Sequence, residues 1–208
     1  MVNIKICGIT NLDDAQFACD AGANALGFNF AEEAKKRNRY IEPSAARTII
    51  EQLPDEVLKI AVTVNAEPSE IESWLAFVDC IQLHGEESAD YTNKLGKNAI
   101  KAFRIEDGFK SESLMAYDCK AWLLDAYVPG ARGGTGKTAD WDTAKDIVSL
   151  GHPVYLAGGL TPDNVAEAIE KVQPFGVDTA GGVESAPGVK DHERIRAFIN
   201  NARKASLS

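Results

Sequence analysis

Apolar positions fall along this chain in two alternating patterns. Short, nearly continuous apolar runs lie at 2–7, 25–30, 57–64, 79–83, 99–105, 121–125, 153–157 and 175–178. Runs of that length, apolar on both faces, predict strands of a parallel sheet covered on both sides. The segments between them are amphipathic or polar. Helices are predicted over 12–21, 43–53, from Pro68 onward, 87–95, 141–150 and 191–205, with a weaker one around 110–117. Asn11 reads as the cap of the first helix, Asp13 and Asp14 suit its positive end, and Gly22 stops it. Pro43 and Pro68 suit first-turn positions, and Ile71, Trp74, Leu75 and Val78 form one side of the third helix. Thr161 reads as the cap of the seventh helix, with Pro162 at its first position. Residues 31–42 and 126–140 read as loops, the first basic in part and the second rich in glycine.

Eight strand-then-helix units in 208 residues imply a parallel sheet with right-handed crossovers. A count of eight favours a closed (β/α)8 TIM barrel over an open doubly wound sheet. No linker or low-complexity segment divides the chain, so one domain over 1–208 is expected.

Composition narrows the partners. Hydrophobic residues at 45% and charged residues at 25% are ordinary for a soluble globular protein. A net charge of -9 argues against nucleic acid or an anionic membrane surface. The apolar runs are too short to span a bilayer and no signal peptide opens the chain, so a cytoplasmic protein is expected. Cys7, Cys19, Cys80 and Cys119 are far apart without a CxxC pair, which fits reduced thiols rather than a zinc or disulfide framework. Cys19, Cys80 and Cys119 fall inside predicted helices or strands and read as core. The three His have no metal-ligand spacing, so no metal is expected; His152 and His192 read as ordinary loop or helix-start residues.

Candidate chemistry gathers after the strands, on one face of the expected barrel. Cys7 ends strand one before a Gly turn; it is either a small buried hydrophobe or a reactive thiol. Asp125 ends strand six and either caps its loop or serves as a general acid. Gly158-Gly159 and Gly181-Gly182 follow strands seven and eight, the usual phosphate-binding corner of such barrels, although plain turn chemistry gives the same residues. The basic run Lys35-Lys36-Arg37-Asn38-Arg39 is either a solvated face or a clamp for a carboxylate. His84 is either a rim histidine or a catalytic one. The segment 130–138 looks like a Walker A loop but has Ala131 where that pattern needs glycine, so a mobile loop closing over the site fits better.

These motifs together resemble the phosphoribosylanthranilate isomerase family of tryptophan biosynthesis. The resemblance rests on Lys5-Ile-Cys-Gly-Ile-Thr10, Gly27-Phe28 with Arg39-Tyr-Ile41, Gln82-Leu-His-Gly85, Leu124-Asp125, Gly133-Gly-Thr-Gly-Lys-Thr138 with Asp140-Trp141, Ala157-Gly-Gly-Leu160, and Val177-Asp178 with Gly182-Val-Glu184. It implies an Amadori rearrangement of N-(5-phosphoribosyl)anthranilate, with Asp125 as acid and Cys7 as base. It implies substrate contacts from Arg39, His84, Asp178 and the two Gly loops, and no cofactor. Arg37 is a rival to Arg39, because the loop after strand two looks longer than in the family. Two other readings stand beside it: another phosphosugar isomerase using paired Asp residues, disfavoured by Cys7, and a non-catalytic barrel that binds a phosphorylated ligand. Neither membrane nor nucleic acid is an expected partner, and the chain is expected as a monomer or homodimer.

Overall fold

A computed structural model describes residues 1–105, 109–125 and 141–207. The expected mobile loop over 126–140 lies outside the described residues. Strands β1 (Asn3–Cys7), β2 (Ala25–Asn29), β3 (Leu58–Thr63), β4 (Cys80–Leu83), β5 (Ala99–Arg104), β6 (Ala121–Asp125), β7 (Val154–Ala157) and β8 (Gly176–Thr179) close into a parallel barrel in chain order. Asn3–Ile6 of β1 pair with Gly176–Thr179 of β8 and complete the ring. Helices α1 (Leu12–Ala21), α2 (Pro43–Ile50), α3 (Pro68–Trp74), α4 (Ala89–Leu95), α5 (Trp141–Val148), α6 (Val165–Val172) and α7 (His192–Ala205) return the chain between strands and after the last. After β5 a 3-10 helix, Ser111–Ala116, stands where the eightfold strand-then-helix rhythm would put another α-helix. This is the expected (β/α)8 barrel.

Local chemistry explains most boundaries. The Asn11 side chain accepts the Asp14 N–H at 2.8 Å, and Gly22 closes α1 at φ 102°, a conformation costly for other residues. Asp191 caps α7 by accepting from the Arg194 N–H at 3.1 Å. Alternation along each strand separates two apolar layers. Ile4, Ile6, Leu26, Phe28, Trp122 and Leu124 join the helices' Ala15, Ala18, Ile195 and Phe198 in the outer core. Ala25, Ile60, Cys80, Ile100, Leu123 and Tyr155 fill the barrel interior. Gly176 leaves space for the Tyr155 ring, which a Cβ there would strike.

Several expectations need correction. The helix placed from Thr161 begins at Val165, because the Asn164 side chain accepts the Thr161 N–H at 2.8 Å and holds 161–164 as a turn. Thr161-Pro162 therefore imitates a helix start. The 31–42 loop contains a 3-10 helix, Glu32–Arg37, ended by Asn38 at φ 53°. Cys119 is buried but precedes β6 rather than lying in it. Beyond the barrel, β9 (Glu184–Ala186) and β10 (Val189–Lys190) form a small antiparallel pair that the apolar pattern did not announce. No helix among the described residues is long and apolar enough to cross a membrane.

Candidate active site

Period two in the strands decides which residues meet inside the barrel. Cys7 lies at the C-terminal end of β1, and Lys5 shares its face one repeat below. Lys5 is fully buried, and its ammonium meets Asp178 of β8 at 2.7 Å. Burial alone would lower the Lys5 pKa; the Asp178 carboxylate, helped by the Cys7 thiol, outweighs it and holds the ammonium above its usual range. Gly27 of β2 makes room for both neighbours: a Cβ there would stand 2.7 Å from Cys7 Sγ and 3.0 Å from Lys5 Nζ. The turn after Cys7 uses Gly8 at φ 76°, where a Cβ would press on the Arg39 side chain at 3.1 Å.

Asp125 ends β6, three strands around the ring from Cys7. Its Oδ1 is buried and has no hydrogen-bond partner among the described residues. Its Oδ2 lies 4.0 Å from His84 Nε2, beyond a hydrogen bond. The Gln82 amide donates to His84 Nδ1 at 2.9 Å, which leaves the ring proton on Nε2, toward Asp125. Burial lowers the His84 pKa and outweighs the opposing pull of the Asp125 carboxylate. Gln82 Oε1 is a second buried polar atom without a partner among the described residues. Beside His84 a cavity of about 320 Å³ opens, lined by Lys101, Phe103, Arg104, Phe109 and Tyr117 among others.

The loops after β7 and β8 are locked together. Gly158 and Gly159 take φ 88° and 70°. The Thr179 hydroxyl donates to the Leu160 carbonyl at 2.7 Å, and a Cβ on Gly182 would collide with that same carbonyl. Gly182 thus serves the close approach of two backbones.

Arg39 joins this corner to the Cys7 turn. Its Nε and Nη2 grip Glu184 of β9 at 2.9 and 2.8 Å. The head of Arg39 also lies against Gly181, where a Cβ would stand 2.8 Å from Nη2. Lys190 of β10 donates to Glu184 Oε1 at 2.9 Å and to the Ala180 carbonyl at 3.1 Å. Burial opposes the Glu184 charge, yet Arg39 and Lys190 hold that carboxyl below its usual range. Burial in turn lowers Lys190. Arg37 is exposed at the end of the Glu32–Arg37 3-10 helix, away from this cluster.

The structure therefore brings Cys7, Asp178 and Arg39 to one side of the mouth and Asp125 with His84 to another, with the Gly158-Gly159 and Gly181-Gly182 loops joined. Sequence reasoning assigned no role to Lys5, Gln82, Glu184 or Lys190. Lys5 was findable, since an inward Cys7 requires an inward Lys5, which needs a carboxylate. Glu184 stood in the Gly182-Val-Glu184 match without a role, and Lys190 had no signal. Among the described residues, no group of three or more His, Cys, Asp or Glu could hold a metal ion.

Comparison with known proteins gives one family. A family model described as N-(5'phosphoribosyl)anthranilate (PRA) isomerase matches residues 4–201. An N-(5'-phosphoribosyl)anthranilate isomerase from Trichlorobacter lovleyi is 45% identical over 207 residues, 99% of this chain and 100% of that one. The phosphoribosyl anthranilate isomerase structure from Thermotoga maritima superposes with a TM-score of 0.88 at 41% identity, covering 98% of this chain and 100% of the other. A second isomerase structure, in complex with reduced 1-(o-carboxyphenylamino)-1-deoxyribulose 5-phosphate, gives a TM-score of 0.85 at 38% identity over 98% and 100%. A third, of monomers generated from the dimeric Thermotoga maritima enzyme, gives 0.83 at 38% identity over the same shares.

Proposed function

The chain belongs to the N-(5'-phosphoribosyl)anthranilate isomerase family, enzymes of tryptophan biosynthesis, and from that premise we propose how its residues divide the reaction. N-(5-phosphoribosyl)anthranilate becomes 1-(2-carboxyphenylamino)-1-deoxyribulose 5-phosphate by general acid–base catalysis. Asp125 donates a proton to the furanose ring oxygen, the bond from that oxygen to C1 breaks, and the anilino nitrogen becomes an iminium. Cys7 takes the C2 proton, and the freed electron pair forms the C1–C2 double bond and neutralises the iminium. The enolamine then tautomerises to the ketone, and proton exchange returns both groups to their starting states. The iminium is the electron sink, so the scheme calls for no cofactor.

The observation that carries this reading is the pairing of one thiol and one carboxyl at a single mouth, the carboxyl with a buried oxygen that nothing among the described residues bonds. Such an oxygen is where a substrate proton or hydroxyl belongs. Arg39 takes the anthranilate carboxylate with the part of its guanidinium that Glu184 leaves over. The backbone N–H groups at Gly158, Gly159, Gly181 and Gly182 take the phosphate. Asp178, with Oδ1 committed to Lys5, offers Oδ2 to a sugar hydroxyl, and His84 flanks Asp125 as a neutral donor. The chain acts as one barrel domain in the cytoplasm, as a monomer or homodimer, on this small molecule and not on nucleic acid or membrane.

The test is the fluorescence of phosphoribosylanthranilate made in situ from anthranilate and phosphoribosyl pyrophosphate. The protein accelerates its decay; an unchanged decay overturns the proposal. Within the same assay Arg39→Ala raises KM about 10- to 150-fold, the worth of one charge-assisted hydrogen bond. Arg37→Ala leaves it near the parent value, and the reverse pattern moves the clamp to Arg37.

A further inference from the structure

The small β9–β10 pair lies outside the barrel, yet it sends two buried charged side chains into the site. Glu184 and Lys190 are 6% and 7% exposed as whole residues. Glu184 occupies one edge of the Arg39 guanidinium with both carboxylate oxygens, through Nε and Nη2. That two-point grip fixes the plane of the guanidinium as well as its position. Among the described residues the hydrogen bonds of Arg39 use only that edge, and Nη1 lies on the other. One further contact holds the carboxylate itself, Lys190 on Oε1; Lys190 is in turn anchored on the Ala180 carbonyl, and Arg194 Nη1 holds the Glu184 main-chain carbonyl. The Arg39 stem is confined from the other side by Gly8, which follows Cys7.

The charges add a second point. Arg39 and Lys190 are two cations around one carboxylate, Glu184, so among the described residues the cluster carries one positive charge beyond neutrality. A buried ion group with a surplus charge lacks a counter-ion. A carboxylate on the free edge of Arg39 would supply it.

We propose that Glu184 is the positioning residue of the carboxylate clamp: it aligns Arg39 so that its free edge faces the anthranilate carboxylate, and Lys190 holds Glu184 in place. This rests on the reading of Arg39 as the clamp. Glu184 touches no substrate; it acts through Arg39 and governs binding of one end of the ligand only. The phosphate end and the proton-transfer groups are served by other residues.

The test uses two ligands that differ by one group, the reduced product analogue and the same compound without its ring carboxylate, with dissociation constants measured by calorimetry. The parent protein binds the carboxylate-bearing ligand on the order of 10-fold or more tightly. In Glu184→Gln that preference shrinks to a few-fold, while affinity for the ligand lacking the carboxylate stays as in the parent. In turnover the same variant raises KM with little change in kcat, and Glu184→Asp recovers less than the full preference. Four results overturn the idea. If Glu184→Gln keeps the full preference while Arg39→Ala loses it, the clamp stands and the positioning role falls. If Arg39→Ala keeps the preference as well, the clamp reading itself fails. If the parent has no preference, both fail. If Glu184→Gln loses affinity for both ligands equally, Glu184 holds the fold rather than the clamp.

Discussion

The two sides of the barrel mouth surround their candidate catalytic groups in different ways, although each holds a buried ion pair, Lys5 with Asp178 on one and Lys101 with Glu87 on the other. On the side of β1, β2 and β8, every ionic group described has a partner: Lys5 with Asp178 at 2.7 Å, Arg39 and Lys190 with Glu184 at 2.8 and 2.9 Å. On the side of β4 and β6, Asp125 Oδ1 and Gln82 Oε1 are buried without partners among the described residues, and His84 stops 4.0 Å short of Asp125. The first side holds fixed charges around the thiol that the isomerase reading makes the base. The second keeps hydrogen-bonding capacity in reserve around the acid. A base that removes a carbon-bound proton gains from an environment already set before the reaction begins. An acid that must reach a ring oxygen needs an empty place for that oxygen. Buried polar atoms left without partners cost stability, and on the isomerase reading substrate offsets that cost when it binds.

The contrast is broken most directly by removing the two groups themselves. Cys7→Ala and Asp125→Asn each lower kcat on the order of 10²–10⁴-fold in the fluorescence assay, the usual contribution of a positioned acid or base. Their stabilities sharpen the comparison. Asp125→Asn melts at or above the parent temperature, because it removes a carboxyl group whose buried oxygen has no partner among the described residues. Near-parent turnover in either variant removes that residue from the mechanism. A large fall in the melting temperature of Asp125→Asn would mean the acid side is as tied down as the base side.

Next in size is Lys5→Met, which breaks the buried pair and strands Asp178. Removing one member of such a pair costs about 3–5 kcal/mol of stability in denaturant unfolding. Adding Asp178→Asn to Lys5→Met recovers part of that loss, since the stranded carboxylate is then gone. A loss under about 1 kcal/mol, the scale of an exposed pair, would place Lys5 in solvent and contradict its burial. The pH dependence has a definite sign. The Lys5 pKa is raised on folding, so its contribution is fully present below the ordinary Lys value of 10.5 and fades only as pH rises through the higher folded value. Stability near neutral pH is therefore flat with respect to Lys5.

Much of this layout was legible in the sequence, and the misses follow a pattern. The eight apolar runs gave every barrel strand within a residue or two, because burial on both faces leaves a strong signal in composition. Cys7 and Asp125 were legible for the same reason, as polar residues closing apolar runs. Thr161-Pro162 misled because a good cap and a first-turn proline need only local chemistry, while Asn164 overrode them with one side-chain bond. The β9–β10 pair has strands of three and two residues, too short for any periodicity. Its importance lies in Glu184 meeting Arg39 across 145 positions, a contact no local pattern encodes. The placement of Arg37 and Arg39 was likewise tertiary: the 3-10 helix leaves one exposed and turns the other toward Gly8 and Gly181.

The smallest expected effect concerns His84, the residue that joins the acid side to its cavity. Burial depresses its pKa below the ordinary 6.5, and the nearby Asp125 carboxylate does not make up the difference. Below pH 6.5 the unfolded chain therefore takes a proton at this position that the folded chain refuses until lower pH. Stability contributed here falls as pH drops through that window and levels off once the folded ring also titrates. Proton and nitrogen NMR of the imidazole rings reads the effect directly. The neutral form of the His84 ring predominates at pH 6.5, with its proton on Nε2 and its Nδ1 bonded by Gln82. His152, stacked on Trp122 at the far end of the barrel and also lowered by burial, gives a second depressed signal, and His84→Gln removes one of the two. A His84 signal that titrates above 6.5 would mean that the Asp125 charge outweighs burial. Asp125 and His84 would then form an ion pair in the free protein, and the acid side would be closed in the same manner as the base side.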